Sequence, residues 1–452
     1  MKSYDTFVHQ LESLLASSHA NPQSFRKEIE IATNGLAKSE LYRLVPTSLR
    51  RKHGAFFTDE SLAKTAAKFL EPVIKRGERI CDPACGAGDL LLACTQYLPR
   101  GGSIKQKIET WNSSLMGWDL QPSFVRACQI RLLLRAIAQR QDGVQVCPSP
   151  SELFSNIQQA DGLAQSVHLG SLGGVIMNPP FTSVKSPEHI GWGNGKINAS
   201  ALFTHHVLAQ MRSDAKMVAI LPDVLRSGSR YRKWRIEIER LANISRVIPL
   251  KKFDPTTDVH VFMLVAVKRA KNTIVTIQPR IAHEKRITKA SWQDSCRNQA
   301  YIDQQSPKEL SVSDFFVASV GPVVEYREPR LGQWLPYLQA RNLPRWSSVE
   351  SCDLPKRRFR GRRIAGPFVV VRRTSRPEDT YRVVGTIVSG QEEYAVENHL
   401  IVLKPRDGKL SSCRRLLKLF KNTATTDYVN KVMRCRHLTI STINSIPWAN
   451  LP

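Results

Sequence analysis

Between Arg79 and Val267 the chain changes its hydrophobic period again and again. Short apolar runs, Arg79–Asp82, Leu115–Asp119, Gly174–Met177 and Met217–Leu221, alternate with longer stretches whose apolar residues recur at helical spacing. A strand apolar at successive positions is buried on both faces, and parallel neighbours need a crossover of helical length between them. The pattern therefore predicts an α/β domain built on a parallel sheet. Two further apolar runs, Ile244–Pro249 and Val259–Val267, are too close for such a crossover and predict a terminal antiparallel hairpin.

The flanking regions read differently. Phe7, Leu11, Leu14 and Leu15, then Phe25, Ile29 and Ile31 after Asn21 and Pro22, predict two amphipathic helices in an N-terminal helical segment, residues 1–50. The α/β domain is expected over 51–290. Beyond about residue 300 the chain turns to short β-rich pieces broken by Gly, Pro and Arg, such as Pro367–Val371, Tyr381–Val384 and Leu400–Leu403, with a helix around Leu416–Phe420. These predict a separate α+β domain over 300–452.

Bulk properties narrow the function. The longest uninterrupted apolar run, Val261–Val267, is far short of the ~20 residues of a membrane span. The first twenty residues lack a continuous signal-peptide core, so a cytoplasmic location is expected. Nine cysteines, none in a paired ligand pattern, read as reduced and mostly buried thiols, and no metal is expected. The most telling number is charge: 66 Lys and Arg against 39 Asp and Glu leave +27. An excess of that size points to a polyanionic partner, nucleic acid before all others.

Three segments carry chemistry. Asp82-Pro-Ala-Cys-Gly-Ala-Gly-Asp89 follows a predicted strand and opens a helix, which lets backbone approach a ligand at the strand's carboxyl end. It lacks the Lys-Ser/Thr ending of a phosphate loop. Trp118-Asp119 ends the next strand, where an acid can accept both hydroxyls of a ribose or serve the helix beginning near Pro122 as a cap. Asn178-Pro-Pro-Phe181 follows the strand ending at Met177. Consecutive prolines fix φ and remove donors, so the Asn178 side-chain oxygen and the Pro179 carbonyl can accept both hydrogens of an exocyclic amino group while Phe181 stacks on its ring.

Taken together these segments resemble the gamma-class N6-adenine DNA methyltransferases of type I-like and Taq-like restriction-modification enzymes, over roughly residues 51–270. The resemblance implies a Rossmann-like class I sheet, S-adenosylmethionine as cofactor, and a flipped-out adenine as substrate. Gly54-Ala-Phe-Phe-Thr58 is similar to the family's first cofactor segment, with Phe57 and Thr58 as contacts and Asp59 where the family usually has proline. Asp82, Ala84, Gly86 and Gly88 correspond to the turn around the methionine part, Asp119 and Leu120 to the ribose and adenine contacts, and Asp161 and Gly162 to the segment touching the adenine amino group. Asn178, Pro179, Pro180 and Phe181 correspond to the catalytic tetrapeptide, and Phe253 to the aromatic that joins Phe181 in stacking on the extruded base.

From Lys356 to Arg376 there are nine basic residues and no acid: Lys356, Arg357, Arg358, Arg360, Arg362, Arg363, Arg372, Arg373 and Arg376. An Arg-rich run suits phosphate and guanine contacts and is expected to bind duplex DNA. The segment from Glu397 onward loosely resembles the target-recognition domains of the same enzymes. The expected activity is thus site-specific methylation of adenine N6 in DNA. Methylation of protein glutamine, which also uses Asn-Pro-Pro and an aromatic, fits the +27 charge poorly, and a degenerate DNA-binding methylase fold fits the intact motifs poorly. A nuclease in the same chain is not expected; a separate restriction endonuclease stays open as a partner.

Overall fold

The computed structural model describes residues 2–18, 22–99, 103–139, 149–253, 259–270, 292 and 310–448. The chain forms two units, one comprising Met1–Leu225 with Tyr231–Cys296, the other Arg226–Arg230 with Arg297–Pro452.

The first unit is organised by seven strands: β1 (Ile80–Asp82), β2 (Leu115–Asp119), β3 (Ile157–Gln159), β4 (Gly174–Met177), β5 (Lys216–Pro222), β6 (Ala242–Lys252) and β7 (His260–Lys268). They lie in the order β3-β2-β1-β4-β5-β7-β6, with the first five parallel and β7 antiparallel to both β5 and β6. The expected hairpin is present, and it inserts its second strand beside β5 and leaves its first at the sheet edge. Side-chain alternation splits each strand between two cores: Ile176, Val218 and Ile220 face one, Val175, Met177, Met217, Ala219 and Leu221 the other.

The first core extends further than the sequence pattern suggests. Four N-terminal helices, Asp5–Ser18, Arg26–Thr33, Leu36–Leu44 and Thr47–His53, join it in place of the two expected. The reason lies in helix Pro122–Ala138, which packs on the sheet and is buried on nearly every side. Covering its outer face leaves Arg131 fully buried, where it donates to the carbonyls of Ala32 and Ala87 and pairs with Asp89 at 2.9 Å. A buried guanidinium with no partner would be prohibitively costly, so this network locks N-terminal helix, glycine turn and sheet helix together.

The second unit is α+β. A five-stranded sheet in the spatial order Phe316–Val320, Leu400–Pro405, Phe368–Arg372, Gly385–Val388, Ser348–Val349 packs one face on helices Leu410–Lys421, Thr423–Val432 and Ile440–Asn444. Lys356–Phe359, Gln333–Leu338, Glu393–Val396 and Ile364–Ala365 form a second sheet. The strand expected at Tyr381–Val384 starts instead at Gly385. Arg382 explains the shift: its backbone N–H goes to the Thr426 hydroxyl, and its buried guanidinium donates to Ser375, Asn430 and the Cys435 carbonyl.

Candidate active site

The carboxyl ends of β1, β2 and β4 converge on one cleft. The cleft is open to solvent, and its lining includes Phe57, Ala84, Gly86, Asp119, Leu120, Asp161, Gly162, Asn178 and Pro180. Residues from five separated sequence segments meet here, as expected where loops leave the carboxyl ends of a parallel sheet. A smaller hollow beside it is lined by Thr58, Asp82, Gly86 and Asn178 among others.

Asp119 sits at the centre of the turn geometry. One carboxylate oxygen accepts the Gly86 N–H at 3.0 Å and the other the Gln121 N–H at 2.8 Å. The N-cap of helix Pro122–Ala138 is Gln121, so Asp119 braces the glycine turn and does not cap that helix. Each carboxylate oxygen keeps a lone pair for a further donor. Burial pushes the Asp119 carboxyl up to about 6. Asp82 lies deeper, accepting the Ala84 N–H at 3.0 Å, and burial pushes its carboxyl up to about 8, helped by the charges of Asp119 and Asp89. Asp82 shapes the turn through its bond to Ala84.

The two glycines of the turn part company. Gly86 lines the cleft, whereas Gly88 has φ +87 and packs where any Cβ would strike the Cys128 sulfur at 2.5 Å. Gly88, expected as a cofactor contact, is not among the residues lining the cleft and sits where helix Asp89–Cys94 closely approaches helix Pro122–Ala138. Asp59, standing where proline was expected, caps helix Glu60–Lys68 through the Ser61 N–H.

The Asn178–Phe181 turn is held from both sides. The Asn178 amide nitrogen donates to the Thr58 hydroxyl at 3.0 Å and to the Phe56 carbonyl at 3.3 Å. That assignment leaves the side-chain oxygen as the acceptor. Gly54 lets the two segments touch, since a Cβ there would meet the Pro180 Cβ at 2.4 Å. On the other side Ser200, fully buried, places its hydroxyl 3.0 Å from the Pro180 carbonyl and 3.4 Å from that of Pro179. Asn198 donates to the Phe181 carbonyl at 3.2 Å while capping helix Ala199–Gln210. Pro179 is accordingly buried, its carbonyl already touched by one donor and left with one lone pair.

Sequence reading missed the roles of Phe56, Asn198 and Ser200. An Asn-Ala-Ser helix start eighteen residues downstream of Pro180 was the available signal, yet only the fold brings it under the turn. Phe181 and Phe253 do come together, edge to face at 5.5 Å and 70°. Rings so arranged contact each other and leave no parallel slot for a base between them, so a two-sided stack requires one ring to swing away. Asp254 and Pro255 of the same loop fall outside the described residues.

In the second unit the basic run does not form one face. In strand Lys356–Phe359 alternate side chains point opposite ways: Lys356 and Arg358 outward, Arg357 and Phe359 inward. Arg357, 3% exposed, pairs with Glu325 at 2.6 Å and donates to the Glu328 carbonyl. Arg372 donates to the carbonyls of Ala340 and Leu343. Of these two, both expected on DNA, Arg357 is buried within the unit, whereas Arg372 is half-buried with two of its donors on local carbonyls. Arg363 pairs with Glu393 at its rim, and Arg362, Arg360 and Arg376 are exposed, with Arg373 half-buried.

The strand order β3-β2-β1-β4-β5-β7-β6, with its ligand cleft at the carboxyl ends, defines a class I S-adenosylmethionine-dependent methyltransferase sheet. The chain belongs to the N-6 DNA methylase family, whose profile matches residues 43–297, more than half of the 452. Among solved structures it is similar to the type IIL restriction-modification enzyme MmeI bound to DNA (11% identity, TM-score 0.49, covering 91% of this chain and 70% of that one). The type IIG restriction endonuclease BpuSI matches at 14% identity and TM-score 0.44, over 91% and 61% of the two chains. The type I methyltransferase subunit from Streptococcus thermophilus matches at 22% and 0.36, over 48% and 45%. This chain thus spans between 45% and 70% of these three chains.

Proposed function

We propose that the protein is a site-specific DNA adenine methyltransferase, transferring a methyl group from S-adenosylmethionine to N6 of an adenine turned out of duplex DNA, and that it is the modification component of a restriction-modification or related system. The observation that carries this reading is the anchoring of Asn178: with its amide nitrogen bound to Thr58 and Phe56, its oxygen is the free acceptor on the cleft wall.

The residues present suit the cofactor. Asp119, braced by Gly86 and Gln121, keeps an acceptor on each oxygen for ribose hydroxyls. Leu120, 62% exposed at the cleft edge, offers an apolar surface for an adenine ring, with Asp161 and Gly162 opposite. When bound, S-adenosylmethionine supplies a methyl group already activated by its sulfonium.

What remains for the protein is to make a poor nucleophile attack. Adenine's amino lone pair is delocalised into the ring, and two acceptors that draw its hydrogens restore it to nitrogen. The Asn178 oxygen and the remaining lone pair of the Pro179 carbonyl fill that role, and Ser200 and Asn198 keep the turn from yielding. Rigid dipoles aimed in advance cost nothing to reorganise during reaction, which is where such sites gain most of their rate. Phe181 covers the ring, offsetting part of the few kcal/mol needed to unstack a base.

The +27 charge and the arginines of the second unit support DNA over a protein substrate. Sequencing modified bases in DNA from cells expressing the chain tests reaction and site together. N6-methyladenine at one recurring sequence is expected, and unmodified DNA overturns the proposal.

A further inference from the structure

Within nine residues of the second unit, three large apolar side chains stand open to solvent: Tyr326 at 80%, Leu331 at 50% and Trp334 at 63%. Isolated exposed apolar residues need no explanation, but here each aromatic ring carries an arginine. The Arg327 guanidinium lies 5.2 Å from the Tyr326 ring centre, and that of Arg358 lies 5.4 Å from Trp334. Trp334 and Arg358 are direct cross-strand partners in an antiparallel ladder, so the pair is built into the sheet. The anchoring is deep: Phe359 and Tyr337 point inward from the same two strands, and Tyr337 donates to Glu325 at 2.6 Å.

Charge chooses between occupants. Arg327 and Arg330 beside Tyr326 in the chain, and Lys356, Arg358 and Arg360 on and after the strand paired with that of Trp334, are all exposed. Among the neighbouring acids, Glu325 is already taken by the Tyr337 hydroxyl, Arg330 and Arg357, which hold its carboxyl below the usual range, and Glu393, which shares Arg363 with Gln333, is paired too, leaving Glu328. An interface with a protein also uses Trp, Tyr and Arg, yet one surrounded by so many cations would require an equally acidic partner. A nucleic acid supplies that charge at regular spacing and offers planar rings besides.

We propose that Trp334 and Tyr326, with Arg358 and Arg327, form a platform that lies against duplex DNA, the rings on sugars and base edges of a groove and the arginines on flanking phosphates. This rests on the reading of the chain as a DNA methyltransferase and assigns the aromatic share of DNA binding to residues outside the Lys356–Arg376 run. Unlike the charge of that run, this share is insensitive to salt.

Full-length Trp334→Ala, Trp334→Phe and Arg358→Ala proteins, each checked for wild-type thermal unfolding, distinguish the roles by anisotropy of a fluorescein-labelled duplex carrying the mapped methylation site, titrated at several salt concentrations. Trp334→Ala is expected to lower affinity roughly tenfold with an unchanged salt slope, and Trp334→Phe to recover most of it. Arg358→Ala is expected to make the log–log slope shallower by about 0.9. S-adenosylmethionine affinity stays at wild type in all three. Wild-type DNA affinity in Trp334→Ala overturns the platform while the methyltransferase reading stands. A wild-type protein that binds no duplex overturns both.

Discussion

The cleft of the first unit and the basic surface of the second use polar side chains in opposite ways. In the cleft, functional groups are few, buried and already hydrogen-bonded: Asn178 by Thr58, Asp119 by Gly86 and Gln121, the Pro180 carbonyl by Ser200. On the second unit, arginines are many, and most of them face water. On the proposed function, chemistry depends on the geometry of a handful of acceptors, whereas recognition depends on the summed charge and exposed rings of a β frame. A single substitution should therefore be severe in one region and graded in the other.

The sharpest break is expected at Asn178. Asn178→Ala should lower the methyl-transfer rate about 10²–10³-fold, the usual cost of removing a preorganised polar group aimed at the reacting centre, with cofactor affinity nearly unchanged in calorimetry. Asp119→Ala should do the reverse, weakening S-adenosylmethionine binding by about 1.5–3 kcal/mol. The Asp119 carboxyl, raised to about 6 by burial, accepts hydroxyl donors best when ionised. Cofactor affinity should therefore rise as pH goes from 5 to 7, and calorimetry on Asp119→Asn should lose that dependence.

In the second unit the comparison can be made between neighbours. Arg357→Ala removes the buried partner of Glu325 and should cost about 1.5–3 kcal/mol of stability in urea unfolding. Arg362→Ala with Arg363→Ala should leave unfolding unchanged and make the DNA salt slope shallower by up to about two, less if the Glu393 pair already occupies Arg363. Smaller still is the change expected at Thr58: Thr58→Val deletes one anchor of Asn178 and should slow transfer by about fivefold, with Thr58→Ser restoring it.

What could be read from sequence followed the same division. Strands β2 and β4 lie where their apolar runs placed them, because a strand buried on both faces leaves a continuous signature. Motifs whose members are neighbours in sequence were legible too: Asp119, Gly86 and Asn178 meet in one cleft. Burial of a polar residue by distant partners was not. Arg131 looks like any helix arginine until Ala32 and Asp89 close over it, and Arg357 looks like a member of a basic run until alternation turns it inward onto Glu325. Ser200 escaped for the same reason, its role set by a contact between segments twenty residues apart.

The central claim, that the cleft delivers a methyl group to adenine N6, is tested most directly by incubating the protein with duplex DNA and S-adenosylmethionine carrying an isotopically labelled methyl group, then digesting the DNA to nucleosides for mass spectrometry. Labelled N6-methyldeoxyadenosine is expected from the wild-type protein, and at least about a hundredfold less in the same time from Asn178→Ala. Label on cytosine, label on protein glutamine with none in the DNA, or equal transfer by Asn178→Ala would contradict the account.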